Sequence, residues 1–368
     1  MTPLSGRSLC SSAGYADCQR LVSLLRQAPE DASFIARAIL EDCRADVSLH
    51  DGGRSVSAAL TGLGEGPAVA FAAHLPAAAD ASDSASLQTA AALEIARQMA
   101  GCRKEWPGTL FILLYPKGRT RELLAENPLP ETGVAGIHTL RPHPGEAGEL
   151  LLCQGAVTCG ETPFILRAAY REGLSKTEWE AFMQETAAGV ARLSSHPQLT
   201  AEDANRMLKV PAVRERFVRA AILRTDIAPR EILFFGSALV FHRGMQRLVT
   251  QRIQRLSDEL GSRWKVTVTA SFLPSLPPVY NDPTLCGEAG GLLRQSDGVF
   301  YRGSRSRFLP FVTDDYALLQ RADGGLLFLL GAGKAHGPGE PADERCLAPG
   351  IRGVVCLLEH QLTKSTGK

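Results

Sequence analysis

The chain has no C-x-x-C pair, no apolar run long enough to cross a bilayer, no excess charge of either sign and few aromatic residues. Each absence removes a class of function. The nine cysteines, at positions 10, 18, 43, 102, 153, 159, 286, 346 and 356, are too scattered for a zinc knuckle or a dithiol redox motif. An odd number of them without a secretion signal fits reduced thiols, so a cytoplasmic protein is expected. With 40 Lys and Arg against 39 Asp and Glu, there is no basic footprint for nucleic acid or for an anionic membrane. No segment reads as a membrane span. The Ser/Gly-rich start, residues 1–14, lacks an apolar signal core and is expected to be a disordered leader. At 368 residues the chain can bury a large core, and two domains are expected.

One local absence weighs more. Gly108 to Tyr115 reads as a buried strand, with a Gly-Thr entry, an apolar run and a Pro-Gly exit. Ligands in open α/β sheets sit beyond the carboxyl ends of such strands. A hydrolytic metal centre there needs carboxylates, as ligand and as general base. The loop offers Lys117, Gly118 and Arg119 instead.

Around this strand the pattern is α/β. Tyr15–Arg26 and Ala32–Cys43 have helical spacing, and Val47–Leu60 suggests a hairpin turning at Gly52-Gly53. Pro67–His74 reads as a core strand that delivers His74 to its carboxyl end. The polar loop after it carries Asp80 and Asp83, and Leu87–Ala100 is a helix. Val134–His138 is expected to be a short strand ending in a histidine, and Gly145–Val157 a hairpin. From Pro163 to Phe272 the order is strand, helix, strand, strand, helix, strand, a split βαβ unit, with a further short helix at Ala201–Leu208. Helices at Leu285–Arg294, Asp314–Arg321 and Gly350–Leu362, and a strand at Gly325–Gly331, complete the chain.

With these motifs in order, the chain resembles the hippuricase and auxin-conjugate hydrolase branch of the zinc aminoacylase and carboxypeptidase metallopeptidases, from about Leu21 to Leu358. The segments that carry the resemblance are Leu276-Pro277-Pro278-Val279-Tyr280-Asn281-Asp282-Pro283, Thr313-Asp314-Asp315-Tyr316, Leu329-Leu330-Gly331-Ala332-Gly333, Gly136-Ile137-His138 and Trp106-Pro107-Gly108-Thr109-Leu110. The resemblance implies two domains: a mixed-sheet peptidase-like domain from 15–163 and 272–368, and an inserted βαββαβ lid, ferredoxin-like, at 164–271. It also implies a homodimer formed through the lid. Members of that group hold two zinc ions and a Glu-Glu pair after the central strand. Those two positions fall here on Gly118 and Arg119. The thiolate and imidazole ligand positions fall near Asp80 and Ser82, His74 has Pro76 where a partner Asp is expected, and the lid Gly-Gly-His is absent from Arg171-Glu172-Gly173-Leu174. The implied ligands His138 and His336 survive.

Two readings stay open. In the first, the protein keeps a site for an N-acyl-amino-acid-like or amide ligand bearing a carboxylate, lined by Tyr115, Lys117, Arg119, His138 and His336, with no metal expected. The Arg119 guanidinium would then stand in the space of a metal ion. In the second, one zinc at His74, Asp80, His138 and His336 serves an active amidohydrolase. Catalytic candidates are Asp83, Lys117 and His138, with Cys153 as a nucleophile in a metal-free variant. Asp314 and Asp315 suit a helix N-terminus better than a base. Arg243, Arg247, Arg252 and Arg255 suit a solvated helix face.

Overall fold

The computed structural model describes residues 12–77, 83–169, 175–196, 201–228, 230–304, 308–309, 311–333 and 342–364. Asp80, Ser82, His336 and the loop Arg171-Glu172-Gly173-Leu174 lie outside the described residues. In chain order the elements are α1 (Ser12–Gln27), α2 (Ala32–Asp42), β1 (Asp46–His50), β2 (Ser55–Thr61), β3 (Ala68–Leu75), α3 (Asp83–Gly101), β4 (Thr109–Pro116), α4 (Thr120–Ala125), β5 (Ile137–His143), β6 (Glu149–Cys153) and β7 (Gly155–Ala156). They continue as β8 (Gly160–Ala169), α5 (Lys176–Ala191), α6 (Ala201–Leu208), α7 (Pro211–Arg214), β9 (Val218–Ala228), β10 (Glu231–Val240), α8 (Arg243–Trp264) and β11 (Thr267–Phe272). The last are β12 (Tyr280–Asn281), α9 (Pro283–Gln295), β13 (Phe300–Ser304), α10 (Tyr316–Asp323), β14 (Leu327–Gly331) and α11 (Leu347–Thr363).

The chain divides into two compact units. The first comprises Met1–Gln154, Asn281–Ser304 and Leu318–Lys368. Its eight-stranded mixed sheet has the order β1-β2-β4-β3-β5-β14-β6-β13. β3 runs parallel to both β4 and β5, so these three strands end on the same edge. Alternation then sorts their side chains between two faces. Val69, Phe71 and Ala73 of β3 join Leu110, Ile112 and Leu114 of β4 against α1, α2, α3 and α11. Each fully buried Leu or Phe in that layer contributes roughly 1.5–3 kcal/mol. Ala72, His74, Leu113, Tyr115, Thr139 and Arg141 belong to the opposite face by the same alternation.

The second unit, Gly155–Tyr280 and Arg305–Ala317, contains a four-stranded sheet in the order β11-β8-β10-β9, antiparallel throughout. Phe164, Leu166, Phe182, Phe234, Val249 and Ile253 form its core between sheet and helices. A capping box starts α5: Glu178 N–H donates to Ser175 Oγ, and Ser175 N–H donates to Glu178 Oε2 at 2.7 Å. Lys265, in the left-handed conformation at φ 54°, ends α8 before β11 begins. Arg243, Arg247, Arg252 and Arg255 are all exposed on α8, a solvated face.

Two expectations need correction. The predicted strand over 134–138 runs instead from Ile137 to His143, so His138 stands at its amino end. The segment 145–157 is no hairpin, because β6 pairs with β14 and β13. The Gly108–Tyr115 strand is third in its sheet, and β13 had no counterpart in the periodicity. Ser12 to Gly14 begin α1, and residues 1–11 of the expected leader lie outside the described residues.

Candidate functional site

β3 ends in Ala73-His74-Leu75, and the alternation that sends Ala73 into the core sends His74 to the other face. The last paired residues of β3 and β5 are Ala72 and Thr139, so the next residues on the same face are His74 and Arg141. Both are buried, each 5 % exposed. Arg141 Nη2 lies 3.1 Å from His74 Nε2, and Nη1 donates to Thr139 Oγ1 at 2.7 Å and also to Gln88 Oε1. Gln88 Oε1 further accepts from the His74 backbone N–H at 3.3 Å. Thr89 Oγ1 donates to the His74 carbonyl at 2.7 Å, and Thr139 Oγ1 donates to the Ala72 carbonyl at 2.7 Å. Tyr115 on β4, fully buried, meets the His74 ring edge-on at 5.2 Å and 84°.

The polarity of the His74–Arg141 contact is fixed by chemistry. A guanidinium only donates, so His74 Nε2 accepts with its lone pair, and that nitrogen carries no proton. The same lone pair is what a metal ion would take. In this arrangement the Arg141 guanidinium, a permanent cation, donates to that lone pair.

His138 belongs to different surroundings. Its register partner on β3 is Phe71, three residues before His74, which is roughly 10 Å along the strand and on the opposite face. Nδ1 accepts the Leu326 backbone N–H at 3.2 Å, and Nε2 meets Gln361 Oε1 at 2.7 Å. Burial without a compensating anion pushes its pKa down to about 4, partly opposed by the Gln361 hydrogen bond. Through these contacts His138 ties β5 to α11 and to the start of β14.

The loop after β4 also differs from expectation. Lys117 is exposed, and Gly118 turns the chain at φ 86°. Arg119 donates to Glu122 Oε1 at 2.9 Å and lies 3.7 Å from Asp51 Oδ2. Its charge is spent on the β1–β2 turn and on α4, and the cation beside a strand-end histidine is Arg141. Asp83 is held by Arg26 and by the Ala342 backbone N–H, which donates to Oδ2 at 2.7 Å, so it braces the start of α3. Asp314 Oδ1 accepts the Tyr316 backbone N–H at 3.0 Å, the capping role expected of it. Cys153 is fully buried, as are most of the thiols, and burial pushes Cys159 up to about 12. Neither is a ready nucleophile.

Arg141, Gln88 and Thr139 were missed in the sequence. The signal was there in the alternation Thr139-Leu140-Arg141, but Pro142 argues against a strand. It is tolerated because β5 has already passed its last pairing with β3 and keeps only β14 as a neighbour.

No protein-family model matches the sequence, and no curated protein matches it. Solved structures do. A dinuclear metal-binding peptidase of the M20 family from Bacillus subtilis is 16 % identical, with a TM-score of 0.76 over 96 % of this chain and 100 % of that one. An aminobenzoyl-glutamate utilization protein from Klebsiella pneumoniae is 12 % identical, with a TM-score of 0.67 over 96 % and 98 %. A hydantoinase/carbamoylase-family amidase from Burkholderia multivorans is 9 % identical, with a TM-score of 0.62 over 96 % and 97 %. The chain therefore has the fold of these peptidases and amidases over nearly its whole length. Among the described residues no helix is long and apolar enough to cross a membrane.

Proposed function

We propose that a protein with this peptidase and amidase fold binds a small carboxylate-bearing amide, of the N-acyl-amino-acid kind, without a dinuclear-zinc hydrolytic centre. The observation that carries the proposal is the Arg141 guanidinium 3.1 Å from His74 Nε2. A metal pair at the ends of β3 and β5 would have to coexist with that fixed positive charge, which weighs against it. The loop after β4 adds support, since Lys117-Gly118-Arg119 supplies no carboxylate to take a proton from water. Arg141 is suited to hold the ligand's carboxylate, as a planar fork already oriented by Thr139 and Gln88.

Calorimetric titration with N-benzoylglycine tests this. The unmodified protein, prepared without chelators, should bind it and release no glycine. The Arg141→Gln variant should lose about tenfold or more in affinity, as expected for a charge-assisted contact. Equal affinity in the two proteins, or rapid release of glycine, would refute the reading.

A second reading rests on His74 itself, a buried histidine at the carboxyl end of β3. A single zinc on its imidazole would make the protein an active amidohydrolase, and it requires Arg141 to leave His74. Stoichiometric zinc lost in His74→Ala would favour it.

A further inference from the structure

We propose that Ser57, His50 and Glu126 form a second, metal-independent site, a nucleophile relay for acyl transfer from small esters or amides. It stands apart from the His74 and Arg141 reading and does not depend on it. Three observations carry it. First, His50 Nε2 lies 2.7 Å from Ser57 Oγ, and His50 Nδ1 lies 3.1 Å from Glu126 Oε2. This is the order of contacts by which an imidazole takes a hydroxyl proton while a carboxylate fixes its tautomer. Second, the carboxylate is itself fixed. Glu126 Oε1 accepts the Asp51 backbone N–H at 2.8 Å, and that contact, followed by the imidazole, holds its pKa below the usual range. Asp51 adopts the left-handed conformation at φ 51° and is followed by Gly52 and Gly53, also at positive φ, so a tight turn places that N–H.

Third, the relay is on the face of the sheet away from the core that α1, α2, α3 and α11 cover. Ser57 pairs directly with Leu113 of β4, which pairs with Ala72 of β3, so Ser57 shares the face of His74 and Arg141. Ser57 and His50 keep 7 % and 8 % of their surface open, while the core-facing neighbour Val56 keeps none. On the same strand and face, two residues before Ser57, the buried Ser55 Oγ finds no hydrogen-bond partner among the described residues.

In the step, Ser57 Oγ bonds to the acyl carbon, and its proton passes to His50 Nε2. The bond from carbon to the leaving oxygen or nitrogen breaks, and that atom takes the proton from His50. Water then attacks the acyl carbon, gives a proton through His50 back to Ser57 Oγ, and releases a carboxylic acid. Ser57 and His50 act on the reacting atoms, and Glu126 positions His50.

The test is labelling of the full chain with a biotinylated fluorophosphonate, which forms an Oγ–P bond as fluoride leaves, followed by peptide mapping. Label is expected on Ser57, and its rate should fall by about 100-fold or more in His50→Gln, the contribution typical of a general base. With p-nitrophenyl acetate, Glu126→Gln should lower kcat about tenfold or more at unchanged KM, with recovery in Glu126→Asp. Mapping on the unmodified chain reads the proposal without relying on any variant's folding. A folded chain carrying no label on Ser57, or a Ser57 labelled equally fast in His50→Gln, would overturn it.

Discussion

His74 and His138 sit on neighbouring parallel strands, three register steps apart, and do opposite work. His138, at the amino end of β5, has both ring nitrogens committed to protein groups, Leu326 N–H and Gln361. His74, at the carboxyl end of β3, faces the Arg141 guanidinium at its Nε2. The difference teaches that a histidine's role in an α/β sheet follows from the strand end and the face it occupies. Its neighbours in sequence are a poorer guide. Gly136-Ile137-His138 looks like a ligand motif in the sequence, yet its imidazole is a structural tie.

The sharpest way to break this comparison is to remove the tie. His138→Ala strands the Leu326 N–H and the Gln361 amide in a dry interior and leaves a cavity. It should cost about 3–5 kcal/mol in urea unfolding. A cost near zero would return His138 to the candidate ligands. The same residue predicts a pH dependence. Its folded pKa, about 4, lies below the ordinary value of 6.5, so the unfolded chain binds the proton first. Stability is then full above about pH 6.5 and falls by about 3 kcal/mol as the pH drops to about 4. The corresponding slope should be missing in His138→Gln, measured by denaturation at a series of pH values.

Smaller effects sharpen the other half. Arg141→Ala removes the donor to His74 Nε2 and the local charge, so zinc affinity should rise by about tenfold or more, equivalent to ~1.4 kcal/mol. An unchanged affinity in a folded variant would mean that Arg141 is not what keeps a metal away. Arg119→Ala should change stability by at most about 0.5 kcal/mol, because its Glu122 pair is partly exposed and the buried Asp51 keeps its closer pair with Arg54. It should leave N-benzoylglycine binding untouched. A large loss of binding would restore Arg119 to the site.

Much of the fold could be read from the residues. The runs Pro67–His74 and Gly108–Tyr115 have the length and apolar content of buried strands, and His74 was correctly placed at a carboxyl end. The four strands of the second unit also announce themselves by alternation, and its two long helices by spacing. The site was less legible. Pro142 hid the continuation of β5, and with it the register that sets Arg141 beside His74. Arg119, next to Gly118 at the expected metal position, drew attention because proximity in sequence is visible, whereas Asp51, its partner, is brought close only by β2 pairing with β4. The Ser57, His50 and Glu126 contacts were illegible for the same reason. They join β1, β2 and the end of α4, and nothing in their spacing marks them.

The most direct measurement is the zinc content of the unmodified protein, expressed with added zinc, purified without chelators and assayed by inductively coupled plasma mass spectrometry. The guanidinium at His74 predicts well under one zinc per chain. Two tightly held zinc ions per chain, lost together in His74→Ala, would contradict it.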